Sequence, residues 1–205
     1  MKNKMTTFYI VRHGETEWNV SGNIQGSSDS LLTTKGVLQA ENVGKKFEDI
    51  KFDLVISSDL LRAKRTAEII TKEINLEVQT TKLLRERHFG EFEGKHYTEL
   101  RAFDEYFEAL SDEMKHRHTS HGVESDENLT TRFITFFREV AITHPGKKVL
   151  VVAHGGIMRV MLRRFGFGTY QTLSHGAVSN SAWFRLESDG VDFFIKESHG
   201  ITVNN

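Results

Sequence analysis

The chain has 205 residues, of which 38% are hydrophobic and 27% charged, and its formal net charge is −1. This composition predicts a globular protein with one domain covering residues 1–205, and the small net charge argues against a nucleic-acid-binding or membrane-surface protein. The absence of cysteine excludes disulfides, thiolate catalysis and cysteine-ligated zinc or iron–sulfur sites. No apolar run approaches membrane-spanning length and no apolar signal core follows Met1 to Met5, so we expect a cytoplasmic location.

Several short apolar runs have the length and the β-branched or aromatic content of strands. The first run stops at Arg12-His13-Gly14, and the most apolar run leads directly into His154. The last two runs flank Asp189-Gly190, which is typical of a hairpin turn. The predicted strands cover residues 8–11, 52–56, 76–79, 149–153, 182–186 and 191–195.

Segments with apolar residues at helical spacing alternate with these strands. Thr33 or Thr34 is a suitable N-cap for the first helix, and Asp59 is part of a capping sequence before the second. Residues 20–32 are rich in Gly, Ser, Asn and Asp and are expected to form a loop. The predicted helices cover residues 35–47, 60–70, 128–142 and 157–165, and a further one starts near residue 96 and gives way to a polar stretch at 115–122.

This alternation predicts an α/β fold, a three-layer α/β/α sandwich with a mostly parallel central sheet and an antiparallel edge. In such sheets the chemistry sits at the carboxyl ends of the strands. His13 and His154 each follow a strand directly, so parallel neighbours would place both histidines at one rim.

The same rim is suited to an anion. A helix follows His154, and the free N–H groups of a helix N-terminus attract negative charge. Arg12 and Arg62 could converge there, because a guanidinium matches phosphate oxygens as a rigid fork. These residues therefore indicate a pocket for a dianionic phosphoryl group. The alternatives are strand-end histidines with a purely structural role and a solvated Arg62.

The sequence resembles the histidine phosphatase superfamily, also called the phosphoglycerate-mutase-like family. The resemblance is carried in order by Arg12-His13-Gly14-Glu15-Thr16-Glu17-Trp18-Asn19, Gly22-Asn23-Ile24-Gln25-Gly26, Ser57-Ser58-Asp59-Leu60-Leu61-Arg62-Ala63, Leu84-Arg85-Glu86 and Val151-Val152-Ala153-His154-Gly155. It covers nearly the whole chain and implies the phosphoglycerate-mutase-like fold.

The resemblance also implies roles for individual residues. His13 would be the nucleophile that becomes phosphohistidine, its other ring nitrogen donating to a backbone carbonyl. Arg12, Arg62 and His154 would hold the phosphoryl oxygens, and Glu86 would be the general acid and then the base. Asn19, Gln25, Gly155 and Asn180 would contact the phosphate or the rest of the substrate. His88, Glu91 and Glu93 lie close enough in sequence to leave the choice of acid open.

Residues 88–125 are expected to form a variable lid that selects the substrate. His116, His118 and His121 could bind a metal by residue type, although a solvated loop is the simpler interpretation. Arg117, Lys115 and these histidines could instead meet a second acidic group on the substrate.

The resemblance leaves the reaction open between hydrolysis and mutase-type transfer. The stretch between Gly94 and Asn128 is short and acidic, containing Glu99, Asp104, Glu105, Glu108, Asp112 and Glu113, whereas family mutases carry a longer and more basic insertion. We therefore expect a metal-independent phosphomonoester hydrolase without a cofactor, acting through phosphohistidine on a small phosphorylated metabolite. A non-catalytic phosphate-binding protein is the alternative from another class, and the terminal hairpin leaves a homodimer open.

Overall fold

The computed structural model describes residues 4–74 and 76–204, with the side chains of residues 101–104, and so that of Asp104, outside the description. Six strands form one sheet in the order β3-β2-β4-β1-β5-β6. The strands are β1 (Thr6–Arg12), β2 (Leu54–Ser58), β3 (Val78–Thr81), β4 (Lys148–Ala153), β5 (Val178–Ser188) and β6 (Phe193–Ile201). The first four are mutually parallel, whereas β5 runs antiparallel to β1 and β6 antiparallel to β5.

Side chains that alternate along the central strands build a core on each face of the sheet. On one face, Phe8 and Ile10 of β1 join Val149 and Val151 of β4 beneath helices α6 and α7. On the other face, Val11 lies in the core beneath α2 and α3. The three-layer α/β/α sandwich with a mostly parallel sheet is therefore confirmed. The helices are α1 (Glu17–Ser21), α2 (Thr34–Lys46), α3 (Leu61–Ile70), α4 (Arg101–Glu108), α5 (Asp112–Arg117), α6 (Asp126–Thr143) and α7 (Gly155–Arg164).

Three parts of the predicted secondary structure differ from the structure. The first two residues of the expected loop at 20–32 belong to the short helix α1, which Thr16 and Asn19 cap reciprocally and which ends at Gly22 with φ 75°. The helical segment from residue 96 is divided into a 3₁₀ turn (Tyr97–Leu100), α4 and α5, because Ser111 accepts a hydrogen bond from Met114 N and starts a new helix.

The terminal hairpin also has different bounds from those predicted, since β5 extends beyond 182–186 at both ends and β6 starts later than residue 191. The carboxylate of Asp189 accepts hydrogen bonds from the backbone N–H groups of Val191 and Asp192, at 2.9 and 3.0 Å. This Asx-type turn extends the connection and delays β6 to Phe193. The hairpin itself is present, and β6 forms one edge of the sheet while β3 forms the other.

Candidate active site

The two strand-end histidines meet at the carboxyl rim of the sheet. Strands β1 and β4 are parallel neighbours with Arg12 opposite Ala153, and the His13 N–H donates to the Ala153 carbonyl at 3.0 Å. The centroids of the His13 and His154 rings are 5.2 Å apart. The sheet register therefore brings together two side chains that are far apart in the sequence.

His13 is held as a neutral imidazole with one free ring nitrogen. Its Nδ1 lies 2.7 Å from the carbonyl oxygen of Gly14, so Nδ1 donates its proton there and Nε2 keeps a lone pair. Burial and the positive charges of Arg62 and Arg12 lower the pKa of His13 well below 6.5. Nε2 is thus an available nucleophile at neutral pH.

His154 is fully buried beside His13. Neither of its ring nitrogens has a hydrogen-bond partner among the described residues. Burial and the neighbouring Arg62 lower the pKa of His154 well below its ordinary value. A buried imidazole without a partner is costly, so an oxygen of a bound group would complete this part of the site.

Arg62 is directed into the rim by a set of fixed acceptors. Its guanidinium donates to Asp29 Oδ1 at 2.8 Å and to the carbonyls of Ser28 and Gly26 at 2.6 and 2.8 Å. Asp29 also accepts the N–H of Leu61 at 2.8 Å and so binds the start of α3. The Nε of Arg62 has no partner among the described residues.

Arg12 faces the same space from the end of β1. Its Nη1 donates to the Val178 carbonyl at 2.6 Å, and its buried Nε has no partner in the described part of the chain. Burial lowers the pKa of the Arg12 guanidinium, but an arginine at this site remains a cation. A Cβ at Gly155 would lie 3.0 Å from Arg12 Nε, so the glycine leaves room for the guanidinium. Unfilled donors of Arg12, Arg62 and His154 thus surround the His13 ring.

Glu86 lies opposite, at the N-terminus of α7. Its carboxylate accepts the backbone N–H groups of Gly156 and Ile157 at 2.8 and 2.9 Å, and that of Arg87 at 2.8 Å. A helix N-terminus favours a carboxylate in this position. A Cβ at Gly156 would come within 2.5 Å of Glu86 Oε1, so only glycine permits this approach.

The other candidates for the acid are used elsewhere or lie outside the cavity. Glu93 Oε1 accepts N–H groups of Ser27 and Phe89 at 2.9 and 3.0 Å and thereby ties two loops together. Neither Glu93, Glu91 nor His88 lines the cavity.

A cavity of about 300 Å³ opens beside these groups. Seven of the nine residues singled out from the sequence line it: Arg12, His13, Asn19, Gln25, Arg62, Glu86 and Gly155. His154 is not among the lining residues and lies beside the His13 ring. Trp18, Ile24, Phe89, Tyr97 and Leu100 supply apolar surface, so the cavity combines a cationic end with an apolar wall.

The structure gives Asn180 a different place from the substrate contact expected from the sequence. Its Nδ2 donates to the His13 carbonyl at 3.3 Å and to Asn19 Oδ1 at 3.1 Å. The next residue, Ser181, has a φ of 59° and donates its N–H to the same His13 carbonyl at 3.3 Å. A non-glycine residue at positive φ is strained. The pair thus supports the backbone of His13.

Arg159 and His175 line the cavity but were not identified from the sequence. Burial, with the charges of Arg163 and Arg87, lowers the pKa of Arg159 to about 10, and its buried Nε has no partner in the described segments. The sequence does contain a signal for this residue. Arg159 follows Gly155 by four positions on one helix, and such residues share a helix face.

The polar stretch expected in the lid does not reach the cavity. Lys115 is buried, pairs with Glu108 at 2.8 Å and lies over the Phe107 and Tyr170 rings. Arg117 lies 3.7 and 3.8 Å from Glu113 and Glu127. This arrangement therefore does not support a contact of Lys115 and Arg117 with a second acidic group in the cavity. Among the described side chains, which exclude those of residues 101–104, no group of three His, Asp or Glu could hold a metal ion, the set at 116–121 included.

Known proteins share this fold and these motifs. The chain is 35% identical over 164 residues to the protein named uncharacterized phosphatase PhoE of Bacillus subtilis (strain 168), covering 80% of this chain and 79% of that one. It is 35% identical over 170 residues to a metal-independent phosphoserine phosphatase of Arabidopsis thaliana, covering 80% and 70%. The crystal structure of a phosphoglycerate mutase from Bacillus anthracis superimposes with a TM-score of 0.81 at 27% identity, covering 97% and 94%.

Over the residues that the structure describes, no helix has the length and apolar character needed to cross a bilayer. The sequence model of the histidine phosphatase superfamily (branch 1) matches residues 8–199. With the paired histidines, the two arginines and the family match over almost its full length, the chain belongs to the histidine phosphatase superfamily.

Proposed function

We propose that this enzyme hydrolyses phosphomonoesters without a metal ion, through a phosphohistidine on His13. The observation that carries the proposal is the ring of unfilled donors around His13, formed by Arg12 Nε, Arg62 Nε and the His154 imidazole. Groups left unsatisfied in a buried site favour a ligand that supplies several acceptors. A phosphoryl group has such oxygens and carries the opposite charge.

In the first half-reaction, His13 Nε2 attacks phosphorus as the ester P–O bond breaks. The bonding electrons leave with the ester oxygen, and protonated Glu86 transfers its proton to that oxygen to give the free alcohol. Arg12 and Arg62 balance the charge on the phosphoryl oxygens, which is the main requirement of phosphoryl transfer.

In the second half-reaction, water attacks the phosphorus of phosphohistidine. The Glu86 carboxylate accepts the proton of the water as the P–N bond breaks, which regenerates His13 and releases inorganic phosphate. Arg12 and Arg62 supply the positive charge, so no step requires a metal. The similarity to the Arabidopsis metal-independent phosphoserine phosphatase supports this proposal.

The cavity favours a small substrate with a second acidic group. Its volume of about 300 Å³ suits a metabolite rather than a folded phosphoprotein. Arg159 lines it with an unpartnered Nε, and burying such a cation is favourable only when an anion pairs with it. We therefore place a carboxylate of the substrate at Arg159.

Mutase-type transfer is the second candidate, and the Bacillus anthracis structure of a phosphoglycerate mutase favours it. A mutase must keep the phosphohistidine from water and hold a bisphosphate. The acidic composition of residues 95–127 argues against a bisphosphate, because Glu99, Glu105, Glu108, Asp112 and Glu113 would repel it. We rank hydrolysis above transfer on this ground.

The decisive experiment is a steady-state assay with an aryl phosphate and a panel of metabolite phosphates in the presence of EDTA. We expect wild-type turnover that His13→Ala abolishes, and His199→Ala, which changes an exposed histidine on β6, should retain it. Bisphosphate-stimulated conversion of 3-phosphoglycerate to 2-phosphoglycerate would instead establish a mutase. Phosphate binding by folded protein that turns over no member of the panel would support a non-catalytic phosphate-binding protein.

A further inference from the structure

A buried ionic cluster lies outside the cavity, at the start of α6. Asp126 is 2% exposed. Its Oδ1 accepts a hydrogen bond from Arg87 Nη2, and its Oδ2 accepts from Arg163 Nη2 at 2.5 Å and from the Tyr170 hydroxyl at 2.8 Å. The three donors come from three separate parts of the chain, so one carboxylate joins four segments.

Two of these segments take part in the contact between the Glu86 carboxylate and the N-terminus of α7. Arg87 follows Glu86 directly and donates its own N–H to Glu86 Oε1 at 2.8 Å. Arg163 belongs to α7, the helix whose first N–H groups, at Gly156 and Ile157, bind the same carboxylate. Asp126 thus links the segment that carries Glu86 to the helix that receives the Glu86 side chain.

Asp126 links these segments as an ionised carboxylate. Burial alone would raise the pKa of Asp126, but the guanidinium groups of Arg87 and Arg163 outweigh it and lower the pKa to about 2. Arg163 also lies over the Tyr170 ring at 4.2 Å, and Arg87 Nη1 donates to the Glu124 carbonyl at 2.6 Å. Each arginine therefore has a second anchor, which gives the cluster a fixed geometry.

We infer that Asp126 is a positioning residue for the proton transfer by Glu86. The inference rests on the proposed function of Glu86 as the general acid. Asp126 touches neither substrate nor reacting atoms. It acts through Arg87 and Arg163, which hold the Glu86 carboxylate within reach of the ester oxygen. Small displacements of a reacting group weaken catalysis strongly, since about 1 Å of misplacement costs up to ~10²-fold in rate.

A positioning role has a signature that a general structural role lacks. A proton donor matters most when the leaving oxygen is a poor leaving group, and hardly at all for the stable p-nitrophenolate ion. The ratio kcat/KM covers the steps up to phosphohistidine, so it isolates proton donation from the later attack of water. Misplacement of Glu86 therefore lowers kcat/KM for an alkyl phosphate much more than for p-nitrophenyl phosphate.

The experiment compares Asp126→Asn with wild type on glycerol 2-phosphate and p-nitrophenyl phosphate. We expect kcat/KM to fall about 10- to 100-fold more for the alkyl substrate than for the aryl substrate. Asp53→Asn is the matched control, because Asp53 also has an ion pair, with Lys147 at 2.8 Å, but at the amino end of β2. It should leave the ratio of the two values unchanged. Equal losses on both substrates with Asp126→Asn would overturn the inference.

Two further variants keep the test decisive. Tyr170→Phe removes one hydrogen bond to Asp126 and retains the ring, so it should shift the ratio in the same direction by less, even where Asp126→Asn fails to fold. An unchanged ratio in folded Tyr170→Phe would then count against the inference. Glu86→Gln should shift the ratio most. If Glu86→Gln leaves it unchanged, the proposed acid role fails, whereas a shift with Glu86→Gln alone rejects only the role of Asp126.

Discussion

His13 and His154 lie on neighbouring strands, but their surroundings divide them chemically. The Nδ1 of His13 is committed to the Gly14 carbonyl, whereas both nitrogens of His154 lack partners in the described segments. The first arrangement fixes one tautomer and exposes one lone pair. The second leaves a donor ready for an oxygen. Identical residues at equivalent strand ends are therefore suited to different tasks, attack and charge stabilisation.

Arg159 provides a prediction at the scale of a single side chain. We expect Arg159→Met to raise KM about 10- to 100-fold for substrates with a second acidic group, because a hydrogen bond to a charged partner contributes about 1.5–3 kcal/mol. The KM for an aryl phosphate should change little. Steady-state kinetics on phosphoserine and phenyl phosphate measure both values.

Arg117→Ala is the matched control for Arg159→Met, since Arg117 is an arginine outside the cavity. Its KM values should match those of the wild type. A parallel rise of KM on both substrates with Arg159→Met would mean that this residue shapes the cavity without binding a second anion.

Helix α7 is the element on which the site depends most. Its first turn binds Glu86, its fifth residue is Arg159, and Arg163 joins the ionic cluster. These positions are about one turn apart, so one helix face presents all of them along the same side. The direction of this helix therefore decides the relative positions of Glu86 and Arg159.

Gly156→Ala tests this element directly. The added Cβ would approach Glu86 Oε1 to 2.5 Å, so the carboxylate must move from the helix N-terminus. We expect kcat/KM for an alkyl phosphate to fall about 10- to 100-fold. The melting temperature should change little. Gly166→Ala is the control variant, since no atom lies within 4 Å of a Cβ at that position. Its positive φ adds some backbone strain. Unchanged kinetics for Gly156→Ala would show that the Glu86 contact with α7 is dispensable.

Local sequence patterns were sufficient for most elements and for the strand-end part of the site. Buried strands such as β1 and β4 have continuous apolar runs. The polar residues at which these runs end, Arg12, His13 and His154, are therefore visible in the sequence as candidate site residues. The break at Ser111 and the late start of β6 depend on single side-chain hydrogen bonds, which periodicity does not contain. Whether Lys115 or Arg159 faces the cavity depends on tertiary packing.

The whole molecule should lose stability with acid in two contributions, one that begins near pH 6.5 and one that begins near pH 3.8. His13 and His154 have pKa values well below 6.5 in the folded protein, so below pH 6.5 the unfolded chain binds protons that the native protein does not. The free energy of unfolding must then fall as the pH falls below 6.5. The pKa of Asp126 drops from 3.8 to about 2 on folding, which contributes about 2 kcal/mol that is lost as the pH falls from 3.8 towards 2.

Urea unfolding across pH 2 to 8 measures this profile. His154→Asn should flatten the decline below pH 6.5, Asp126→Asn should flatten the one below pH 3.8, and His199→Asn, at an exposed position, should follow the wild type. A decline of equal steepness in the wild type and His154→Asn would contradict the assignment of the upper range.

The order of the sheet has a consequence for how this enzyme emerges from the ribosome. Among the described strands, β1 pairs with β4 and β5 alone, and these are Lys148–Ala153 and Val178–Ser188. The strand that leads to His13, the proposed nucleophile, is synthesised before the other strands of the sheet, yet it has no sheet partner until most of the polypeptide has been translated. A truncated product ending before β4 therefore keeps the Arg12-His13-Gly14 motif but cannot assemble the site. The complete site can form only after the last quarter of the chain has been synthesised.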